Sequence, residues 1–178
     1  RTAVLEAAER MQRELKDAGL RVKLDAREGY RPGWKFNEYE VQGVPVRLAL
    51  GPRDVQNGVV EVARRDTGEK QSLPQAGLAE ALRRLLDEVQ QGLFDRALAF
   101  REANTTPVDS YDEFKEVLES KGGFLAMHWD GTAETEARVK EETKATIRCI
   151  PFDQVREDGV DPVSGRPSEG RVLYAKAY

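Results

Sequence analysis

Thiols and imidazoles are nearly absent: 178 residues hold a single cysteine, Cys149, and a single histidine, His128. A lone cysteine cannot close an internal disulfide. With no signal-type N-terminus either, the composition reads as that of a protein of the reducing cytosol. No apolar run approaches the roughly 20 residues of a membrane-spanning helix, so insertion into a bilayer is not indicated. An excess of positive charge is also missing. The net charge is −4, which argues against indiscriminate binding to nucleic acid, since that rests on neutralising phosphates with Lys and Arg. No repeat is visible, and the glycine-containing stretch 29–33 lacks the Gly-Lys-Ser/Thr ending of a phosphate-cradling loop.

What is present is an ordinary globular balance, with 39% apolar and 34% charged residues, enough for one sizeable core or two modest ones. The charge is unevenly spread. Residues 21–70 hold ten Lys or Arg against eight Asp or Glu, a local balance of +2 that leaves −6 for the remainder. A polyanion contact, if the protein makes one, belongs in that segment. The chain opens with Arg1 and is helical in pattern from its first residues, so it reads as a piece of something longer.

Val4, Ala8, Met11 and Leu15 recur at helical spacing and Gly19 follows as a stop, which predicts a helix over 2–18. Alternation over Arg21–Asp25 predicts a strand, the loop 28–33 breaks it, and a short helical turn is expected over 34–41. Strands are expected over 44–50, 59–63 and 70–73, the last two joined by the hairpin sequence Asp66-Thr67-Gly68. A long helix from about 75 to 101 carries an apolar stripe of leucines. Asn104-Thr105-Thr106-Pro107 interrupts the pattern, and a domain boundary is expected there, giving units of 1–103 and 108–178.

The second unit starts with the capping box Ser110-Tyr111-Asp112-Glu113. Further on, strands are expected over 124–128, 145–150 and 172–177, a helix over 134–143 and a long loop over 153–170. The order predicts an α/β first domain followed by a small α+β unit.

Chemistry concentrates in Gly33-Trp34-Lys35-Phe36-Asn37-Glu38-Tyr39-Glu40, Gly43-Val44-Pro45-Val46-Arg47 and Gly51-Pro52-Arg53-Asp54. An unpaired RNA base needs a flat apolar surface to stack on and polar groups at its edge. Phe36 offers the surface, and Glu40, Arg47, Arg53 and Asp54 the edges. Guanine suits the set best: its imino and amino groups donate to a carboxylate, while O6 and N7 accept from an arginine fork. Residue chemistry alone leaves a plainer account open, in which Phe36 is core, Glu40 and Arg47 form a surface ion pair of little energetic weight, and Arg53 decorates a turn.

These runs, continued through Arg64-Arg65-Asp66-Thr67-Gly68-Glu69-Lys70, resemble the anticodon-binding domain of prolyl-tRNA synthetases of the archaeal and eukaryote-like type. Leu98-Ala99-Phe100-Arg101-Glu102, Thr146-Ile147-Arg148-Cys149-Ile150-Pro151-Phe152 and Ala175-Lys176-Ala177-Tyr178 are similar to the C-terminal domain of that subgroup. The resemblance covers essentially the whole chain. It implies a three-layer anticodon-binding domain with a mixed sheet, whose first strand precedes the helix with which this chain starts. A catalytic domain holding ATP and proline would lie outside the chain. It also implies proline tRNA as partner through its anticodon loop, contact with the catalytic domain of the same enzyme, a homodimeric full-length protein and a cytoplasmic location. The anticodon readers implied by the family fall on Phe36, Glu40, Arg47, Arg53 and Asp54; Arg53 is a lysine in some relatives, which keeps the charge but not the planar fork. The terminal Tyr178 is implied to reach the active site of the parent enzyme, the alternative being that it caps a core strand.

One departure concerns metal. Relatives often hold zinc in the C-terminal domain through four cysteines. The matching positions here are Trp129, Glu134, Asp161 and Ser164, none of them a thiol, so the zinc site is expected to be lost. A mixed set of His128, Glu134, Cys149 and Asp161 is a poor ligand combination. Cys149 with His128 as nucleophile and base lacks any signalled orienting group. No catalytic residue is expected in this chain. Two rival readings remain: an anticodon-type domain of another synthetase-like protein, and a protein-interaction module exposing Tyr30, Trp34 and Phe36.

Overall fold

The computed structural model describes residues 2–154 and 156–177, so the expectation attached to Tyr178 falls outside the described residues. The chain packs as two compact units, residues 1–95 and 96–178.

The first unit begins with α1 (Thr2–Asp17), whose Ala7, Met11 and Leu15 recur every four residues and are buried. It stops at Gly19, whose φ of +84° suits glycine. There Leu20 N–H reaches back to Leu15 C=O and Gly19 N–H to Lys16 C=O, closing the orphan carbonyls in a Schellman motif. After α2 (Pro32–Val41) come β1 (Val46–Ala49), α3 (Pro52–Asn57), β2 (Val59–Arg64), β3 (Lys70–Pro74) and the long α4 (Leu78–Ala103). The sheet has the order β1-β2-β3 and is antiparallel throughout among the described residues.

Strand alternation decides what each face of this sheet does. Val60 and Val62, with Val46 and Leu48 beside them, face Met11 and Leu15 of α1 and Leu78, Leu82 and Leu85 of α4. Arg47 and Ala63, paired across β1 and β2, therefore point to the other face, where α2 lies.

The expected strand over 21–25 is not formed: those residues join no ladder, while Leu20 and Val22 pack against the core. Among the described residues no strand pairs with it, so the segment keeps its apolar alternation but not a strand's hydrogen bonds. The helix α3 was not foreseen. It starts at Pro52 with Gly51 as cap, and the Asp54 carboxylate accepts the Gly51 N–H at 2.7 Å.

The second unit contains β4 (Thr105–Pro107), α5 (Tyr111–Ser120), β5 (Phe124–His128), α6 (Ala133–Thr143), β6 (Ala145–Cys149), a small hairpin of β7 (Gly159–Val160) with β8 (Pro167–Ser168), and β9 (Arg171–Lys176). Its sheet is mixed, in the order β4-β5-β9-β6, with β4 parallel to β5 and the rest antiparallel. The expected break at 104–107 is thus an edge strand, and the division between the units falls within α4.

Phe114 and Leu118 of α5, Val139 of α6, Leu125 and Met127 of β5, and Val172 and Tyr174 of β9 form the second core. Phe114 and Tyr174 meet edge to face at 5.4 Å. Ser110 caps α5 by accepting the Glu113 N–H at 3.2 Å. The Glu113 carboxylate bonds Asp109 N–H rather than the cap itself.

Candidate nucleic-acid interface

The placement of α2 depends on Asp25. Its carboxylate accepts from the Arg27 backbone N–H and guanidinium, and from the Tyr39 hydroxyl at 3.2 Å, with Lys35 Nζ 3.3 Å away. Arg27 also bonds Glu38. Charge-assisted bonds from Arg27 above all, working against burial and joined by Lys35, hold Asp25 well below the usual carboxylate range. Lys35, Glu38 and Tyr39 are thereby tied to the segment 25–27. Phe36 and Glu40, four residues apart on one side of the helix, are left for the sheet.

A shallow pocket results, lined by Phe36, Tyr39 and Glu40 of α2, by Val44 and Arg47, and by Ala63, Arg64 and Arg65 from the end of β2. The Arg47 guanidinium lies 3.5 Å from the Phe36 ring centroid. Its side chain is only 16% exposed, and Nη1 sits 3.6 Å from Glu61 Oε1, beyond hydrogen-bond length. That buried N–H has no hydrogen-bond partner. Such a group is costly in a folded protein unless something else satisfies it. The Glu40 carboxylate is exposed, and no ion pair or hydrogen bond holds it among the described residues.

Three of the five sequence-derived readers thus meet in one pocket. Arg53 and Asp54 do not line it: both lie on α3, Arg53 exposed and Asp54 engaged with Gly51 N–H. The sequence reading gave Arg65 no reader role, placing it only within the run Arg64–Lys70. The pairing of Arg47 with Ala63 carries the chain from the pocket floor to Arg65 within two residues, a signal that needs the strand register to be known.

Tyr30 and Trp34 form a separate exposed pair, stacked at 4.3 Å with Arg27 against both rings. Phe36, grouped with them in the interaction-module reading, lies under Arg47 in the pocket instead.

In the second unit, Asp161 is fully buried. Its carboxylate accepts from the backbone N–H groups of Asp130, Val163 and Ser164 at 2.9, 2.7 and 3.2 Å. Asp130 accepts in turn from Thr132 and Thr135, and Arg166 stands 3.6 Å from it. Burial raises its pKa, but the bonds from Thr132, Ser164 and Thr135 outweigh that and bring Asp130 down to about 2. Of the four positions matched to cysteines in relatives, Trp129 gives its indole N–H to Thr132 C=O and Glu134 is turned toward Arg166. Ser164 accepts from Arg166 N–H. Among the described residues no group of three His, Cys, Asp or Glu side chains is placed to hold a metal. His128 and Cys149 lie on β5 and β6 with β9 between them, two strand spacings or about 9.5 Å apart, too far for a nucleophile and its base.

Residues 1–85 match the family model of the anticodon binding domain, and residues 111–178 that of the prolyl-tRNA synthetase C-terminal domain. The chain belongs to the prolyl-tRNA synthetase family. It is 50% identical over 175 residues to a proline–tRNA ligase of Christiangramia forsetii and 54% identical over 176 residues to one of Salinibacter ruber. Each alignment covers 98% of this chain and 36% of the relative, so the chain spans about a third of the length of these relatives. The prolyl-tRNA synthetase of Cryptosporidium parvum, solved with L-proline and AMP, is 30% identical with a TM-score of 0.92, over 100% of this chain and 38% of that one.

Proposed function

We propose that the pocket of Phe36, Glu40 and Arg47 reads a guanine of the proline anticodon, as part of a cytoplasmic enzyme that joins proline to its tRNA at the expense of ATP. The observation that carries this reading is the convergence of three chemically distinct groups. Phe36 supplies a ring for stacking, the unpaired Glu40 carboxylate matches the donors on the guanine edge, and the buried, unbonded Arg47 Nη1 is an unmet donor for O6 or N7. Arg53, outside the pocket, would act on a neighbouring nucleotide or its phosphate, and Asp54, through the oxygen not bonded to Gly51 N–H, on a donor of that nucleotide's base.

Activation of proline and its transfer to tRNA would be the work of a catalytic domain beyond these residues, in a homodimeric full-length protein. In this reading the second unit works without zinc. The Asp130–Asp161 network then joins the loop after β5 to the loop before β8.

Titration with a proline anticodon stem-loop, and with versions in which either guanine is replaced, tests the assignment. Arg47→Ala and Glu40→Ala should each remove roughly 1–3 kcal/mol of preference for the matching base. Equal weakening toward every RNA would refute the reader roles. Protein capture without RNA binding would favour the exposed Tyr30–Trp34 pair as an interaction surface.

A further inference from the structure

The pocket has three arginines in different states. Arg64 is neutralised by Asp66 at 2.9 Å and by Glu88 at 3.1 Å. Arg47 is withdrawn against Phe36 with Glu61 nearby. Arg65 is exposed and has no carboxylate within ion-pair distance among the described residues.

Arg65 is nevertheless fixed in place. Its backbone N–H bonds Pro45 C=O at 2.9 Å, next to β1. Its Nε bonds Glu40 C=O at 3.0 Å, in the last turn of α2. With Nε committed to the protein, the two terminal nitrogens stay at the pocket wall without a hydrogen-bond partner among the described residues, each with two N–H donors. A planar, immobilised fork of uncompensated positive charge suits a tetrahedral oxyanion better than a base edge, which offers acceptors without full charge.

We infer that Arg65 binds the phosphate of the nucleotide whose base enters the pocket, its fork held in place by the bond from Nε to Glu40 C=O. This rests on the guanine-reading proposal and adds to it a contact that carries no sequence information. Binding of single-stranded RNA would then draw on a fixed cation at the pocket rim as well as on the base readers.

The test uses the chain with the proline anticodon stem-loop and its guanine-replaced versions across a salt series, comparing wild type with Arg65→Gln and Arg65→Lys. A thermal melt of each variant controls for folding. Arg65→Gln should lower affinity by a similar factor for every RNA and reduce the slope of log affinity against log salt by about 1. Arg65→Lys should retain the wild-type slope.

A wild-type slope in Arg65→Gln, with guanine preference intact in the wild type, overturns the phosphate contact and leaves the pocket reading standing. A loss confined to guanine-bearing RNA also overturns it and makes Arg65 a base reader. If the wild-type chain itself shows no preference for guanine, the pocket reading fails, and this inference with it.

Discussion

Gly159 lies flat against the imidazole of His128, so that a Cβ there would stand 2.5 Å from Cε1 and Nε2. The ring is held on its other sides, with Nδ1 3.1 Å from the Ser168 hydroxyl and Nε2 3.5 Å from Glu157. It cannot yield without breaking those contacts. Gly159→Ala should therefore destabilise the second unit by about 1–3 kcal/mol, as overpacked sites do, read as a fall in the midpoint of urea unfolding. Adding His128→Ala should recover part of the loss. A double variant no more stable than Gly159→Ala alone would show that the clash is not with this ring.

At the same scale the sequence was informative where residues act through local spacing. Phe36 and Glu40 share a helix side because they are four apart, and Arg47 faces α2 because strands alternate. Asp54 looks like a free carboxylate in sequence, and only the formation of α3 shows that one of its oxygens closes back on Gly51.

Among the elements, those with strong apolar periods were legible almost to their ends: α1, α4, β2 and β5. The failures follow from tertiary context. The segment 21–25 has a strand's alternation but pairs with no strand among the described residues. Thr105–Pro107, a loop by composition, becomes β4 because the edge of β5 accepts it in parallel register.

The loop pair joined by Asp130 and Asp161 depends on charge. With Asp130 brought down to about 2, its contribution to stability is full above the ordinary carboxylate value near 3.9 and is lost as pH falls from there toward 2. Urea unfolding between about pH 5 and 2.5 should show this loss in the wild type. Asp130→Asn should be less stable at pH 5 by on the order of 1–3 kcal/mol, with the gap closing at the acidic end; a gap independent of pH would refute the linkage.

For the whole molecule, the proposal that the second unit works without zinc rests on composition and on local bonding. A chain with one cysteine and one histidine cannot build a closed Cys/His tetrad, and carboxylates bonded to backbone N–H groups occupy the corresponding corner. Chelator treatment should leave the unfolding curve unchanged, and added zinc should not raise the midpoint. A drop in midpoint with chelator that zinc reverses would contradict the metal-free reading. No helix among the described residues is long and apolar enough to cross a membrane. Two separate cores form, one on α1, α4 and β2 and one on α5, β5 and β9, and helical periodicity by itself carries no mark of which core a turn of α4 joins.

In the proposed reading, the guanidinium resting on Phe36 couples access to the ring with selectivity. Any base lying on that side of the ring must evict the cation and forfeit an attraction of about 0.5–2 kcal/mol. A guanine, with two acceptors side by side, gives the dislodged arginine somewhere better to go. On the same reading, a base that cannot accept from the dislodged arginine leaves that loss unrecovered, so the contact on the ring sets a threshold that an entering nucleotide has to clear.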